Sequence, residues 1–444
     1  MKHPDIHKQV LAIAWPMILA GASVPLLGIV DTAILGHLDE VTFLSAVAVG
    51  ASALSLLLWL LSFLRMGTTG LVARAWGGQD NQQCRELLWQ SLALAFGLGL
   101  LLIVLQQPIF QLILWLLGPS DDIRDFALEY CHIRIWAAPA ALCSYAAIGW
   151  LLGLQRARQT LVILATTNLA NIGFDFFFIM GLGLNSAGAA WASLLAEYIG
   201  VGIAFIFVRR ELKKLGGDVD PRTLLKPRTY KRLLTVNRDL FIRTACVVFT
   251  FTFFTAQGAR LGDEILAVNA ILMQLVMLTS YGLDGIAHAA ESLTGHAVGA
   301  RDSHRFRATS RATLQWGGGI AILASLAFLL FQQPIIALFT SLPEVIALAN
   351  NYYGWLVSIP VLAAGCFILD GVFLGADRTH AMRNIMFAAT ALLFLPAWWL
   401  ALPLGNHGLW LAFALFMAGR SVLMAISYRA LVGQSSDFVQ SGRE

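Results

Sequence analysis

Apolar runs of twenty or more residues recur from one end of this chain to the other, separated by polar connections that are mostly short. No other feature limits the fold as severely. A bilayer's hydrocarbon core is crossed by about 20 residues of helix, and inside it every backbone N–H and C=O must be bonded within the protein. Composition agrees: 58% of the residues are hydrophobic and 13% charged, against roughly 25% charged in an ordinary soluble domain. A water-soluble fold is excluded.

Reading the runs between polar breaks gives helices at 10–36, 42–66, 86–113, 124–152, 158–182, 186–209, 236–258, 263–293, 309–336, 346–375, 380–403 and 407–431. The first run is too long for the apolar stretch of a secretory signal, and no small-residue cleavage site follows it, so it counts as a span. Arg74 and Arg85, Arg156 and Arg158, Arg209 to Lys214, Arg301 to Arg311, and Arg378 to Arg383 fall at every second connection, and the alternate connections are acidic or neutral. Basic loops stay inside, which places both termini and the central connection in the cytoplasm. The formal charge of +4 therefore reports orientation and not a nucleic-acid partner. A multi-pass membrane protein is expected, a monomer touching lipid.

The two halves repeat at an offset of about 222 residues. QQPI at 106–109 returns at 332–335, GGQD at 77–80 as GARD at 299–302, LLGLQR at 151–156 as FLGADR at 373–378, and Pro139 as Pro360. Six spans per half make the repeats parallel, related by an axis along the membrane normal. The expected architecture is all-α: twelve transmembrane helices in two six-helix repeats enclosing a central cavity, the plan of an alternating-access transporter. Residues 1–208 form the first lobe, 209–235 a basic cytoplasmic linker against anionic headgroups, and 236–444 the second lobe.

A carboxylate in mid-helix costs about 2.5–3.5 kcal/mol on insertion scales, so those that persist mark structure or function. Asp31 stands in the outer half of the first span, six residues beyond Pro25, which removes a backbone bond and invites a bend. In the fifth span TTNLANIGFDFF sets Asn168, Asn171 and Asp175 at i, i+3 and i+7, on one face. Two acids at similar depth in a low dielectric cannot both ionise cheaply; that is what a proton carrier needs. A purely structural pair, bonding helices together, is the simpler alternative. The acids do not follow the repeat, since the offset carries them to the neighbourhood of Phe254 and Trp398. The second half has Arg243, Asp284, Glu291 and Asp370 instead, a cluster equally readable as an ion-pair network or a cytoplasmic gate. Glu197 and Arg420 are further charges within spans, expected to be paired or snorkelling.

Other chemistries find little. The five cysteines, Cys84, Cys131, Cys143, Cys246 and Cys366, make no CxxC pair, none of the nine histidines has metal-ligand spacing, and there is no GxxxxGKS/T. No cofactor and no ATP drive are expected.

With these residues in hand, the chain resembles the multidrug and toxic compound extrusion (MATE) family. VPLLGIVDTAILGHLD, FLRMGTTGLVARAWG, WLLGLQRAR and LDGVFLGA look like its DinF branch. The resemblance implies an antiporter that expels organic cations and other amphipathic toxins, drugs among them, as protons or sodium ions enter. It also implies a coupling site of Asp31, Asn171, Asp175 and a hydroxyl of the sixth span, here Ser193. The sodium-linked branch is similar in its acid of the tenth span, Asp370, but carries a second acid in mid-seventh span where this chain reads CVVFTFTFFTAQ. Proton coupling is therefore expected, with sodium as the alternative. A lipid-linked precursor flippase would need cavity-facing cations, and few lie within these spans. An intramembrane enzyme using the two acids as a dyad would turn over without a gradient.

Overall fold

The computed structural model describes residues 5–35, 41–117, 120–217 and 227–434, without the side chains of 24, 26, 29, 31–33, 35, 41, 116–117, 121–122, 227–229 and 434. Among the described residues twelve long helices follow one another and no strand occurs. They are α1 Ile6–Leu35, α2 Thr42–Gly77, α3 Asn81–Val104, α4 Ile123–Gly153, α5 Ala157–Gly181 and α6 Asn185–Leu215. The second set is α7 Pro227–Arg260, α8 Asp263–Gly299, α9 Ser303–Leu330, α10 Pro343–Gly375, α11 Thr379–Leu400 and α12 Asn406–Gln434. Eleven carry a window apolar enough to cross a membrane; α1, thirty residues with few polar groups, is the twelfth. This is a multi-pass membrane protein.

By contacts the described residues fall into two compact units. One lies within Ala22–Trp76 and Asp80–Asn237, the other within Met1–Gly21, Gly77–Gln79 and Arg238–Glu444. Much of the stretch expected as a linker is helical, since α6 continues to Leu215 and α7 begins at Pro227; 218–226 lie outside the described residues.

The internal repeat is visible as matched local geometry inside each unit. The runs expected at 86–113 and 309–336 are each broken: short helices Gln106–Leu117 and Gln332–Phe339 follow α3 and α9. Each break begins at QQP, and the proline, lacking an N–H, is placed in the first turn of the new helix, where that donor has no partner anyway. In one unit Gln106 Oε1 accepts from His132 Nδ1 of α4 at 2.9 Å, and in the other Gln332 Nε2 donates to Asn350 Oδ1 of α10 at 2.8 Å. The GGQD and GARD turns match as well. Asp80 and Asp302 each accept, on Oδ1, the backbone N–H three residues on at 2.8 Å, capping α3 and α9. The preceding residues, Gln79 at φ 59° and Arg301 at φ 56°, take the left-handed conformation. Gln155 and Asp377 do so at the turns after α4 and α10, with φ of 62° and 57°.

Prolines act differently in the two halves. A 3₁₀ turn, Ile135–Ala137, interrupts α4 just before Pro139, so Pro139 sits in the first turn of the renewed helix. Pro360 lies inside an unbroken α10. In α1 the helix runs through Pro25 without a break.

Candidate functional site

The site is built on α5 and the helices beside it. α5 is α-helical to Asp175 and then widens into a π-helical turn over Phe176–Gly181, a local change of pitch frequent at functional sites. Asp175 is the last residue before it and is 1% exposed; Asn171, one turn earlier, is 3% exposed. A carboxyl placed so deeply is held by its surroundings or used by them.

The polar stripe of α5 reaches two neighbours. Asn168 Nδ2 donates to Ser23 Oγ of α1 at 2.7 Å, and Asn171 Nδ2 donates to Ser193 Oγ of α6 at 3.1 Å. The Asn171 Oδ1 is buried and has no hydrogen-bond partner among the described residues. Close approach of α5 and α6 rests on Gly200, where a Cβ would collide with the Thr167 hydroxyl. Two hydrogen bonds, Asn168 to Ser23 and Asn171 to Ser193, thus tie α5 to α1 and to α6. Pro25 lies two residues beyond Ser23, half-buried. Asp31 lies on the helical backbone of α1, and its side chain falls outside the described residues.

In the other unit Asp370 of α10, buried, accepts on Oδ2 from Arg243 of α7 and from Arg420 of α12, the latter at 3.0 Å. Asp284 of α8 lies within electrostatic reach of Arg243. The Arg420 guanidinium also stands 5.3 Å over the Phe416 ring, a cation–π contact. Glu291 belongs to a separate contact, with its Oε2 3.6 Å from His288 Nδ1 on the same helix. Of the four candidates of the second lobe, Arg243, Asp370 and, at longer range, Asp284 therefore form one group, and Glu291 pairs with His288.

Sequence reasoning missed Ser23 and joined Arg420 to no partner. Ser23 carries no distinguishing signal, because hydroxyls in these helices commonly bond the carbonyl four residues back, as Thr68, Ser280 and Thr294 do. Arg420 could have been matched to Asp370 only by charge balance across 50 residues. Glu197 was noticed, but its partner was not: Arg134 of α4, 3.5 Å away.

The MatE family model matches residues 16–177 and 240–400, one segment in each half. The chain is 43% identical over 423 residues to the DNA damage-inducible protein F of Escherichia coli (strain K12), covering 95% of this chain and 92% of that one. It is 25% identical over 446 residues to the probable multidrug resistance protein NorM of Thermotoga maritima, covering 96% and 92% respectively. Among solved structures, one described as the outward-facing conformation of a multidrug resistance MATE family transporter superposes with a TM-score of 0.88 at 19% identity. It covers 98% of this chain and 97% of that one, a likeness of fold. The length and identity of these matches, with the paired six-helix pattern beneath them, show that the chain belongs to the MatE family of multidrug and toxic compound extrusion transporters.

Proposed function

We propose that this protein is a proton-coupled multidrug antiporter that exports organic cations and other amphipathic toxic compounds by alternating access. Protons taken up by Asp31 and Asp175 drive the cycle. The observation that carries the proposal is Asp175: a carboxyl 1% exposed, at the edge of a π turn, one helical turn from an amide bonded to a hydroxyl of the neighbouring helix. A carboxyl is costly to place in mid-span, so one kept there is a candidate for function. Protonation shifts the population of states only if proton affinity differs between them. The amide–hydroxyl bridge between α5 and α6 supplies a contact that such a shift can strengthen or loosen.

The name of the Thermotoga maritima relative, a probable multidrug resistance protein, supports drugs as the substrate class. Basic loops at alternate connections support a bacterial inner-membrane setting with both termini in the cytoplasm. Against sodium coupling in the second half stands Asp370: two guanidiniums already hold its Oδ2, and α7 supplies no acid between Arg243 and Arg260.

The test is transport in liposomes carrying an imposed pH gradient, with ethidium as the organic cation. Wild-type protein is expected to move ethidium against its gradient as protons run down theirs, with no requirement for sodium. Asp31→Asn and Asp175→Asn are each expected to abolish that coupling. Export in either variant that still follows the pH gradient removes that acid from the mechanism, and export that needs sodium overturns proton coupling.

A further inference from the structure

The polar face of α6 does not end at Ser193. Glu197 follows four residues later, and side chains at i and i+4 lie on the same face about 5–6 Å apart. The antiparallel packing of α5 and α6 sets Thr167 against Gly200 and Ile179 against Gly188, which places Glu197 within a turn of the depth of Asn171. Its carboxylate faces Arg134 of α4 at 3.5 Å, the two side chains 23% and 15% exposed. Eleven residues further inward on α4, Tyr145 lies within electrostatic reach of Glu197, Arg134 and Arg65 of α2. Arg65 is level with Gly149, where a Cβ would collide with the Arg65 carbonyl oxygen. Beside the α5 site there is thus a second chain of titratable groups that begins at its depth and continues toward the cytoplasmic ends of α2 and α4.

An ion pair kept only to brace helices is a poor investment inside a membrane, because an apolar pair of similar volume serves as well or better. The pair here is also loose, since 3.5 Å is long for a charge-assisted bond, and both side chains are partly accessible. We infer that Glu197, poised by Arg134, is a second proton-holding side chain of this unit and the station through which a proton leaves the Asp175 site for the cytoplasm. The O–H bond at the Asp175 carboxyl breaks; the Ser193 hydroxyl accepts that proton and gives up its own; an O–H bond forms on the Glu197 carboxylate. Negative charge passes from Glu197 to Asp175. Release to cytoplasmic water past Tyr145 restores the carboxylate beside Arg134. Around Glu197 stand Arg134 and Tyr145 from α4 and Tyr198 on α6 itself, whose hydroxyl donates to the Trp136 carbonyl at 3.0 Å; Arg65 of α2 lies beyond Tyr145, and the register of α5 and α6 sets Asp175 level with Ala192.

This rests on the proton-coupled reading above, and the two are tested separately with full-length protein in liposomes and ethidium as the probe. Glu197→Gln is expected to slow transport driven by a pH gradient at least tenfold. Ethidium binding should change less than twofold, and proton release on ethidium addition to detergent-solubilised protein should persist, because Asp175 still loads. Glu197→Asp should recover most of the rate. Arg134→Gln should slow transport less than Glu197→Gln and displace its pH profile. If Glu197→Gln folds poorly, the charge-balanced double variant Arg134→Gln/Glu197→Gln replaces it and should remain slow at wild-type thermal stability. Wild-type rate and pH profile in Glu197→Gln overturn the inference, as does an equal loss in Glu197→Gln and Arg134→Gln that the double variant reverses, which marks a brace. Absence of proton release from the wild-type protein defeats proton coupling itself; its presence beside an unaffected Glu197→Gln defeats only the assignment of Glu197.

Discussion

The two halves share their seams and differ in their interiors. An aspartate caps the third helix of each set at 2.8 Å, a QQP break opens a short helix after it, and the first glutamine of that break bonds the fourth helix. Inside, the first half holds Asp175 beside an amide–hydroxyl bridge, whereas the second holds Asp370 under two guanidiniums. Turns and caps are set by backbone geometry that any copy must repeat. Buried charges answer to local partners, and one unit can drop or acquire them without disturbing the other. The coupling role proposed for Asp175 is not extended to Asp370, whose Oδ2 already takes two guanidiniums.

The contrast breaks most visibly at the acids. Asp175→Asn is expected to abolish pH-gradient-driven export, a loss of at least tenfold in liposomes, with thermal stability near wild type, because the amide keeps the shape and loses only the charge change. Arg420→Ala should do the reverse. Removing one partner of a buried pair leaves an uncompensated charge, at a cost of about 3 kcal/mol, read as a lower unfolding midpoint; Arg420→Ala paired with Asp370→Asn should recover part of it. A stable Arg420→Ala protein would mean that Arg243 alone balances Asp370. A smaller effect is expected at the bridge: Asn171→Ala should slow export several-fold and leave it coupled to pH, since its acceptor is a hydroxyl and the hydrogen bond is worth about 1 kcal/mol. Smallest are the seams. Asp80→Ala and Asp302→Ala should each cost about 1 kcal/mol of stability, equal in both halves and silent in transport. An unequal cost would show that the halves are less alike than their turns.

Nearly all of the fold was legible, because bilayer thickness imposes helix length. The short helices after α3 and α9 were not separated from their spans, since LLIVLQQPIFQLIL reads as one apolar run; Pro108 was the mark of the break. Asn168, Asn171 and Asp175 were legible because a helix's period gathers them on one face and carboxylates in membranes are rare. Their partners were not. Ser23 is 145 residues from Asn168, and Asp370 is 127 residues from Arg243. Spacing along one helix says nothing of which helix it will meet.

Gln79, Gln155, Arg301 and Asp377 occupy a backbone region where side-chain-bearing residues are strained by roughly 1–2 kcal/mol. They form two matched pairs at turns outside the helices that hold Asp175 and Asp370. Glycine at these four positions offers a route to a hardier protein for crystallisation or cryo-microscopy, by easing torsion in the turns of the polypeptide while leaving its ion chemistry alone.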